Sequence, residues 1–257
     1  MKPISVEAIY FSPTGTSKTG AVSIARAIDP AAKEIDVTVI GTVPERTSFP
    51  SDSLVVFGAP VYGGRLYEGA VERFQQFTGH HTPCVITVTY GNRDFDDALL
   101  EMKDLVEALG FVPVAAAALV GQHTYGSVQV GRPEAADVEQ DEAFGRQVQE
   151  ALAADRLETV QVPGNYPYKD GGHGGTFYPL TTEACTRCGL CARECPEQAI
   201  DPLDPSRVDE SKCISCFRCI RRCPVHAKNC DTEAYRTFAE AFSQKLAQRK
   251  ENLYILP

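Results

Sequence analysis

The chain has 257 residues and a formal net charge of −9, with 34 acidic against 25 basic side chains. This length predicts one large domain or two smaller ones, and the acidic balance argues against nucleic acid as a partner and suits redox partners with basic patches. No apolar run approaches the roughly 20 residues of a membrane span, and no N-terminal stretch has the form of a signal peptide. With ten cysteines in the chain, these features predict a cytoplasmic protein, because thiolates persist in a reducing compartment.

Apolar strands alternate with amphipathic helices over residues 1–162. Strands are predicted at 4–11, 34–40, 54–59, 84–89 and 111–120, and helices at 18–28, 67–77, 95–109 and 133–154. Continuous apolar runs such as 54–59 are typical of strands buried on both faces. The stretch Gly41–Ser53 contains two prolines and is too broken for a full helix. The alternation predicts an α/β domain with a doubly wound, parallel, five-stranded sheet.

The loop after the first strand has the composition of a phosphate site. It contains Ser12, Thr14, Gly15, Thr16 and Ser17 and leads directly into a helix. A helix N-terminus of this kind presents backbone N–H groups and hydroxyls to an anion. Both the Walker order and G-x-G-x-x-G are absent. The loop resembles the (S/T)-x-T-G-x-(S/T) loop of flavodoxins, which holds the phosphate of FMN; a polar helix-capping turn is the alternative.

Two further loops follow the third and fourth predicted strands. In the flavodoxin strand order 2-1-3-4-5, FMN binds at the carboxyl ends of the strands, so the resemblance implies that these loops contact the flavin. Tyr62 and Tyr90 are the candidates to stack on its ring, and ordinary loop aromatics are the alternative. The predicted contacts are Ala59, Pro60, Val61, Tyr62 and Gly63 in one loop and Thr89, Tyr90, Gly91 and Asn92 in the other.

His123 and Tyr125 follow the fifth predicted strand. One interpretation places His123 near the flavin or near the second domain, and a surface-loop histidine is the alternative. Residues 163–180 are rich in glycine and proline and predict a linker, in which His173 is expected to be solvated.

Residues 181–230 hold two copies of the pattern C-x2-C-x2-C-x3-C-P, offset by 28 residues. This spacing resembles that of two-cluster [4Fe–4S] ferredoxins, in which the fourth cysteine of each run ligates the other cluster. The resemblance implies a small α+β ferredoxin-like domain. It assigns Cys185, Cys188, Cys191 and Cys223 to one cluster and Cys213, Cys216, Cys219 and Cys195 to the other. Zinc sites and disulfides are the alternatives, but zinc sites usually pair separate C-x2-C knuckles and disulfides need an oxidising compartment.

Residues 231–257 predict a C-terminal helix and tail. Asp231 is the expected cap of a helix from Thr232 to Arg249. An apolar stripe on that helix is expected to dock onto a domain; it consists of Tyr235, Phe238, Phe242 and Leu246. Cys84 is expected to be a small buried residue, and Cys230 has no predicted role.

Over its whole length the chain is similar to the flavodoxin–ferredoxin fusion proteins of anaerobic bacteria and archaea. This resemblance implies an electron carrier that links FMN, two [4Fe–4S] clusters and redox partner proteins. A flavin enzyme acting on a small substrate, with the clusters as its electron feed, is the second hypothesis. A flavodoxin-like scaffold without flavin is the third, because a fold alone does not prove a ligand. The chain has no tryptophan, whereas many single-domain flavodoxins place one beside the ring.

Overall fold

The structure, a computed structural model, describes residues 3–42, 45–154 and 158–256. Residues 1–2 and 155–157 of the predicted first domain, residues 43–44 of the predicted irregular stretch, and residue 257 of the tail lie outside the described residues. The strands are β1 Ser5–Tyr10, β2 Lys33–Asp36, β3 Thr47–Phe49, β4 Ser53–Tyr62, β5 Arg65–Leu66, β6 Phe77–Gly79, β7 Thr82–Tyr90, β8 Phe111–Val120, β9 Leu180–Thr181, β10 Lys228–Asn229 and β11 Leu253–Ile255. The helices are α1 Thr16–Ile28, α2 Glu68–Phe74, α3 Ala98–Ala108, α4 Ala135–Ala153, α5 Leu190–Arg193, α6 Arg218–Arg221 and α7 Glu233–Lys245, with a 3-10 turn at Ile40–Thr42.

Five parallel strands form the main sheet in the order β2-β1-β4-β7-β8. This confirms the predicted order 2-1-3-4-5. Strand register stacks apolar residues across the sheet, so that Ile9 pairs with Phe57 and Phe57 pairs with Ile86. Helices α1 and α4 cover one face, and α2 and α3 cover the other. The sheet is therefore doubly wound, and the carboxyl ends of β1 and β4 meet at its switch point.

The crossover between β2 and β4 contains no α-helix among its described residues, as expected of a stretch with two prolines that is too broken for a full helix. It holds the 3-10 turn and the short strand β3, which pairs in parallel with β6. Strand β2 ends at Asp36, four residues before the predicted boundary. The N–H of Val37 still donates to the carbonyl of Tyr10 in β1, but the carbonyl of Thr38 accepts from the guanidinium of Arg73 in α2.

The C-terminal segment differs from its prediction in two respects. The cap of α7 is Thr232, whose side chain accepts a hydrogen bond from the backbone N–H of Tyr235, and the helix ends at Lys245. Beyond the helix, β11 joins the main sheet antiparallel to β8. The tail thus returns to the first domain and covers the edge strand, which would otherwise present unpaired backbone groups.

A buried carboxyl fastens this tail to α4. The hydroxyl of Tyr254 donates to Asp141 at 2.7 Å, and Asp141 is 1% exposed. Burial, together with the nearby charge of Asp137, raises the pKa of Asp141 from its ordinary value of 3.8 to about 7. Because the folded pKa lies above the unfolded one, the stability contributed by the protonated form is complete below the unfolded pKa. It is lost as the pH rises through about 7.

Replacing Asp141 by asparagine is therefore expected to stabilise the chain relative to the native protein increasingly as the pH rises toward 7. The difference in unfolding free energy should grow by up to about 1.4 kcal/mol per pH unit below pH ~7 and flatten above it. Urea unfolding from about pH 5.5 to about pH 8 measures this difference. Glu142→Gln, at a more exposed carboxyl on the same helix, is the matched control. Parallel stability curves for Asp141→Asn and the native chain would contradict the prediction.

Candidate functional site

A cavity of about 300 Å³ opens at the carboxyl ends of β1, β4 and β7. All three predicted loops contribute to its wall, with ten of the predicted residues: Thr14, Thr16, Ser17, Pro60, Val61, Tyr62, Gly63, Thr89, Tyr90 and Gly91. Four predicted residues lie outside the wall: Ser12, Gly15, Ala59 and Asn92. The sheet therefore brings the three loops together where the sequence placed them, but not every residue of those loops faces the cavity.

Ser12 and Gly15 do not line the cavity, but they determine the shape of the first loop. The hydroxyl of Ser12 accepts from the backbone N–H of Lys18 at 3.0 Å, which fastens the loop to α1. Gly15 has φ +93°, a conformation that favours glycine, and directly precedes the helix. The hydroxyl of Ser17 is buried and has no hydrogen-bond partner among the described residues. A buried hydroxyl of this kind costs free energy unless a ligand satisfies it.

The two predicted loop tyrosines are in fact the last residues of β4 and β7, because both strands extend beyond their predicted ends, and they present their rings differently. Tyr62 is half-buried, and burial raises its pKa. Tyr90 is 6% exposed and packs its ring against Phe95 at 5.5 Å. Thr89 has a buried hydroxyl without a partner in the described part of the chain. Tyr62 thus offers the cavity more ring surface than Tyr90.

Asn92, predicted to contact the flavin, holds the C-terminal segment instead. Its side-chain N–H group donates to the carbonyls of Leu246 and Gln248 at 2.8 and 2.6 Å, and its carbonyl accepts from Lys250. Asn92 is 1% exposed. Its amide is therefore satisfied by the tail that leads to β11.

The loop after β8 forms another wall through residues 121–125. Nδ1 of His123 accepts from the backbone N–H of Tyr125 at 2.8 Å, and its ring lies 4.7 Å from that of Phe242. Burial, together with the positive charges of Arg221 and Arg93, lowers the pKa of His123 to about 4. His123 is thus a packed, neutral side chain of the cavity wall and not a free surface histidine.

Residues 163–175, here called the strap, close part of the cavity. The predicted linker follows the surface of the first domain: the carboxylate of Asp97 accepts the backbone N–H groups of Asn165 and Lys169. Further on, the N–H of Gly172 donates to the carbonyl of Tyr62 at 2.8 Å. His173 is exposed at the cavity wall, and its Nδ1 lies within hydrogen-bonding distance of the Glu68 carboxylate at 3.0 Å. The glycines of this segment predicted irregular backbone, but they could not predict that the segment follows the first domain to the cavity.

The last wall comes from the second cysteine run, through Ile214, Ser215 and Cys216. The strap approaches this wall very closely, because a Cβ atom on Gly174 would lie 2.5 Å from Cα of Ile214. Only glycine allows that contact. Sequence reasoning missed this wall, since nothing in the residues between two cysteines indicates which neighbouring domain they face.

The eight cysteines of the two runs surround two small voids. Cys195, Cys213, Cys216 and Cys219 surround one, which shares residues 214–216 with the cavity and is called the proximal site. Cys185, Cys188, Cys191 and Cys223 surround the other, the distal site. These groupings match the predicted exchange of the fourth cysteines. None of the ten cysteines forms a disulfide, and among the described residues no group of His, Cys, Asp or Glu is arranged around a single metal ion.

Backbone geometry repeats with the cysteine pattern. Helix α6 lies 28 residues after α5, and the N–H groups of Ala199 and Ala227 donate to Sγ of Cys195 and Cys223 at 3.3 and 3.2 Å. Such N–H···S bonds stabilise thiolates that ligate iron–sulfur clusters. Burial raises the pKa of Cys216 to about 12, so a thiolate there needs the positive charge of bound metal. The donor sets and their surroundings fit two cubanes.

An aromatic cluster packs the second domain and α7 against the first. Phe217 has φ +58° where the first run has Gly189, and its ring lies 5.3 Å from Tyr125 and 5.5 Å from Tyr235. Phe238 of α7 also contacts Tyr125, at 6.0 Å. The predicted docking of the α7 stripe is therefore confirmed.

Charged contacts complete this interface. The guanidinium of Arg73 is 5% exposed and pairs with Glu197 at 2.6 Å. It also donates to the carbonyls of Thr38 and Pro196, one from each domain. Arg218 donates to the carbonyl of Pro13 in the first loop at 2.8 Å. The proximal site is thereby fixed beside the cavity.

The cavity of the flavodoxin-like sheet lies beside two sets of four cysteines. This arrangement defines the class of protein: a flavodoxin-like domain joined to a two-cluster ferredoxin domain. The family model described as 4Fe-4S dicluster domain matches residues 184–227. Pyruvate synthase subunit PorD of Methanothermobacter marburgensis is 34% identical over 76 residues, which are 29% of this chain and 91% of that protein. Through its C-terminal domain the chain belongs to the 4Fe-4S dicluster family, and it carries two [4Fe–4S] clusters there.

Solved flavodoxins resemble the first domain more distantly. A flavodoxin from the domain Archaea is 12% identical, with 58% of this chain and 99% of that chain covered and a TM-score of 0.39. Two-electron reduced Megasphaera elsdenii flavodoxin is 17% identical, with 54% and 98% covered and a TM-score of 0.35. The assignment of the flavodoxin-like fold therefore rests on the strand order. None of the described helices has the length and apolar content needed to cross a membrane.

Proposed function

We propose that this protein relays electrons between FMN, two [4Fe–4S] clusters and redox partner proteins in the cytoplasm. The observation that carries the proposal is the shared wall: residues 214–216 line both the cavity and the proximal site. A cofactor in the cavity would be separated from the proximal cluster by a single loop. In this proposal the eight predicted cysteines hold the clusters, and the predicted flavin loops hold FMN.

FMN fits the cavity by the chemistry of its lining. The first loop and the N-terminus of α1 suit the phosphate, the unpartnered hydroxyls of Ser17 and Thr89 supply donors, and Tyr62 offers a ring surface for stacking. Bound FMN would supply a centre that exchanges one or two electrons, whereas each cubane passes one. The chain positions the cofactor and excludes water through the strap and residues 214–216.

The distal cluster is the proposed exit to partner proteins. Cys188 is exposed, whereas Cys216 of the proximal site is buried. Electrons would therefore pass from FMN to the proximal cluster, then to the distal cluster and its partner, or in the reverse direction. The relative PorD is by name a subunit of pyruvate synthase, which supports a redox enzyme as the kind of partner.

The relay can be tested by photoreducing the flavin of the full-length protein under nitrogen. We expect flavin reoxidation and cluster reduction to coincide, at a rate that does not change with protein concentration, because the transfer is intramolecular. A rate proportional to concentration would contradict the relay. Sustained oxidation or reduction of a small molecule without a partner protein would instead favour the flavin-enzyme hypothesis.

Replacing Ser17 by alanine is expected to have opposite effects on the free and the FMN-bound protein. FMN affinity should fall by roughly tenfold, since a lost hydrogen bond to a buried group costs about 1–3 kcal/mol. Stability of the FMN-free chain should stay equal or rise, because an unsatisfied buried hydroxyl disappears. Quenching of flavin fluorescence and urea unfolding measure the two effects. Ser23→Ala on the same helix is the control, and equal FMN affinity in both variants would contradict the role of Ser17.

A further inference from the structure

His123 occupies the cavity wall in a fixed orientation. Its ring packs against Phe242 and Tyr125, at 4.7 and 5.4 Å between ring centres. Gly91 lies against the other side, and a Cβ atom there would come 2.1 Å from Cδ2 of His123. The ring can hold this position only because residue 91 is glycine. Its Cδ2 side is thus set beside Gly91 of the third predicted flavin loop.

The hydrogen bonds of His123 determine where its proton lies. Nδ1 accepts from the backbone N–H of Tyr125, and the low pKa of about 4 keeps the ring neutral near pH 7. A neutral imidazole whose Nδ1 is an acceptor carries its hydrogen on Nε2. Within the described ranges no protein acceptor pairs with Nε2, so one N–H donor is available at the cavity wall.

We infer that His123, through Nε2–H, donates a hydrogen bond to the polar edge of the flavin ring and stabilises its reduced form. This inference rests on the proposed FMN site. Reduction adds electron density to the ring, and a fixed N–H donor favours the state with more negative charge. No charge on the histidine is required, because the neutral ring already presents the hydrogen.

Two substitutions separate hydrogen bonding from packing. His123→Phe keeps an aromatic ring against Phe242 but has no donor, and His123→Gln keeps an N–H donor without the ring. His80→Ala, at an exposed histidine before β7 that does not line the cavity, is the control. FMN affinity is measured by fluorescence quenching, and the flavin midpoint potential by spectroscopic redox titration of the full-length holoprotein.

We expect His123→Phe to bind oxidised FMN nearly as the native chain does but reduced FMN about tenfold more weakly, as expected for loss of a charge-assisted hydrogen bond. For a two-electron couple, tenfold corresponds to a potential about 30 mV more negative. His123→Gln should retain most of the native potential. A potential unchanged in His123→Phe, or shifted equally in His123→Gln, would overturn the inference. A native chain that binds no FMN would overturn the proposed function itself.

Discussion

Cys195→Ala is expected to remove the cluster beside the flavin cavity, although Cys195 belongs to the first cysteine run. The reason is that Cys195 lies at the proximal site with three cysteines of the second run. Iron should fall from about eight to about four per chain, because three thiolates do not complete the ligand set of a cubane. Photoreduced flavin should then lose its rapid electron transfer to the clusters, because the neighbouring acceptor is gone.

Two control variants make this result decisive. Cys223→Ala, the equivalent position in the second run, should lose the distal cluster while fast transfer from flavin to the proximal cluster persists. Cys84→Ala, at a buried cysteine of β7, should retain all the iron. If Cys195→Ala kept fast flavin-to-cluster transfer and Cys223→Ala lost it, the ligand assignment would be reversed.

Arg73→Ala is expected to destabilise the contact between the two domains. Arg73 is almost fully buried, pairs with Glu197 and donates to backbone carbonyls of both domains. Removing one partner of a buried ion pair typically costs about 3–5 kcal/mol, because the remaining charge is left uncompensated. The first urea unfolding transition should therefore shift to lower denaturant, and transfer from flavin to the clusters should slow.

The control for Arg73 is Arg236→Ala, which removes an ion pair with Asp231 on the surface. Both partners of that pair are more than half exposed, so its loss should cost less than about 1 kcal/mol. Equal destabilisation by the two substitutions, or an unchanged transfer rate in Arg73→Ala, would show that Arg73 does not hold the domains together.

The main sheet could be predicted because its strands are long and their patterns are local. Leu54–Ala59 is continuously apolar, and turn residues mark its end. Strand β11 could not be predicted, since three residues carry no periodic signal and their partner β8 is more than 130 residues away. Asn92 shows the same limit of local sequence patterns. Its position after a strand predicted a contact with the flavin, but its side-chain amide bonds to the C-terminal tail, which is distant in the sequence.

The cysteine sites could be predicted because cluster ligation imposes a strict spacing on the sequence. Their placement against the flavin cavity depends on tertiary contacts that spacing does not encode, such as Arg73 with Glu197 and Gly174 with Ile214. His123 gave only a weak signal as a histidine at a strand end. Its position in the cavity wall follows from packing against Gly91 and Phe242, which lie far apart in the chain.

The most direct test of the relay is a count of cofactors in protein purified under nitrogen. Iron, acid-labile sulfide and FMN should be measured per chain on the same sample, after incubation with FMN and removal of the excess. We expect about eight irons, about eight sulfides and about one FMN. Eight irons with no bound FMN would contradict the relay and leave a two-cluster ferredoxin attached to a flavodoxin-like domain without its flavin.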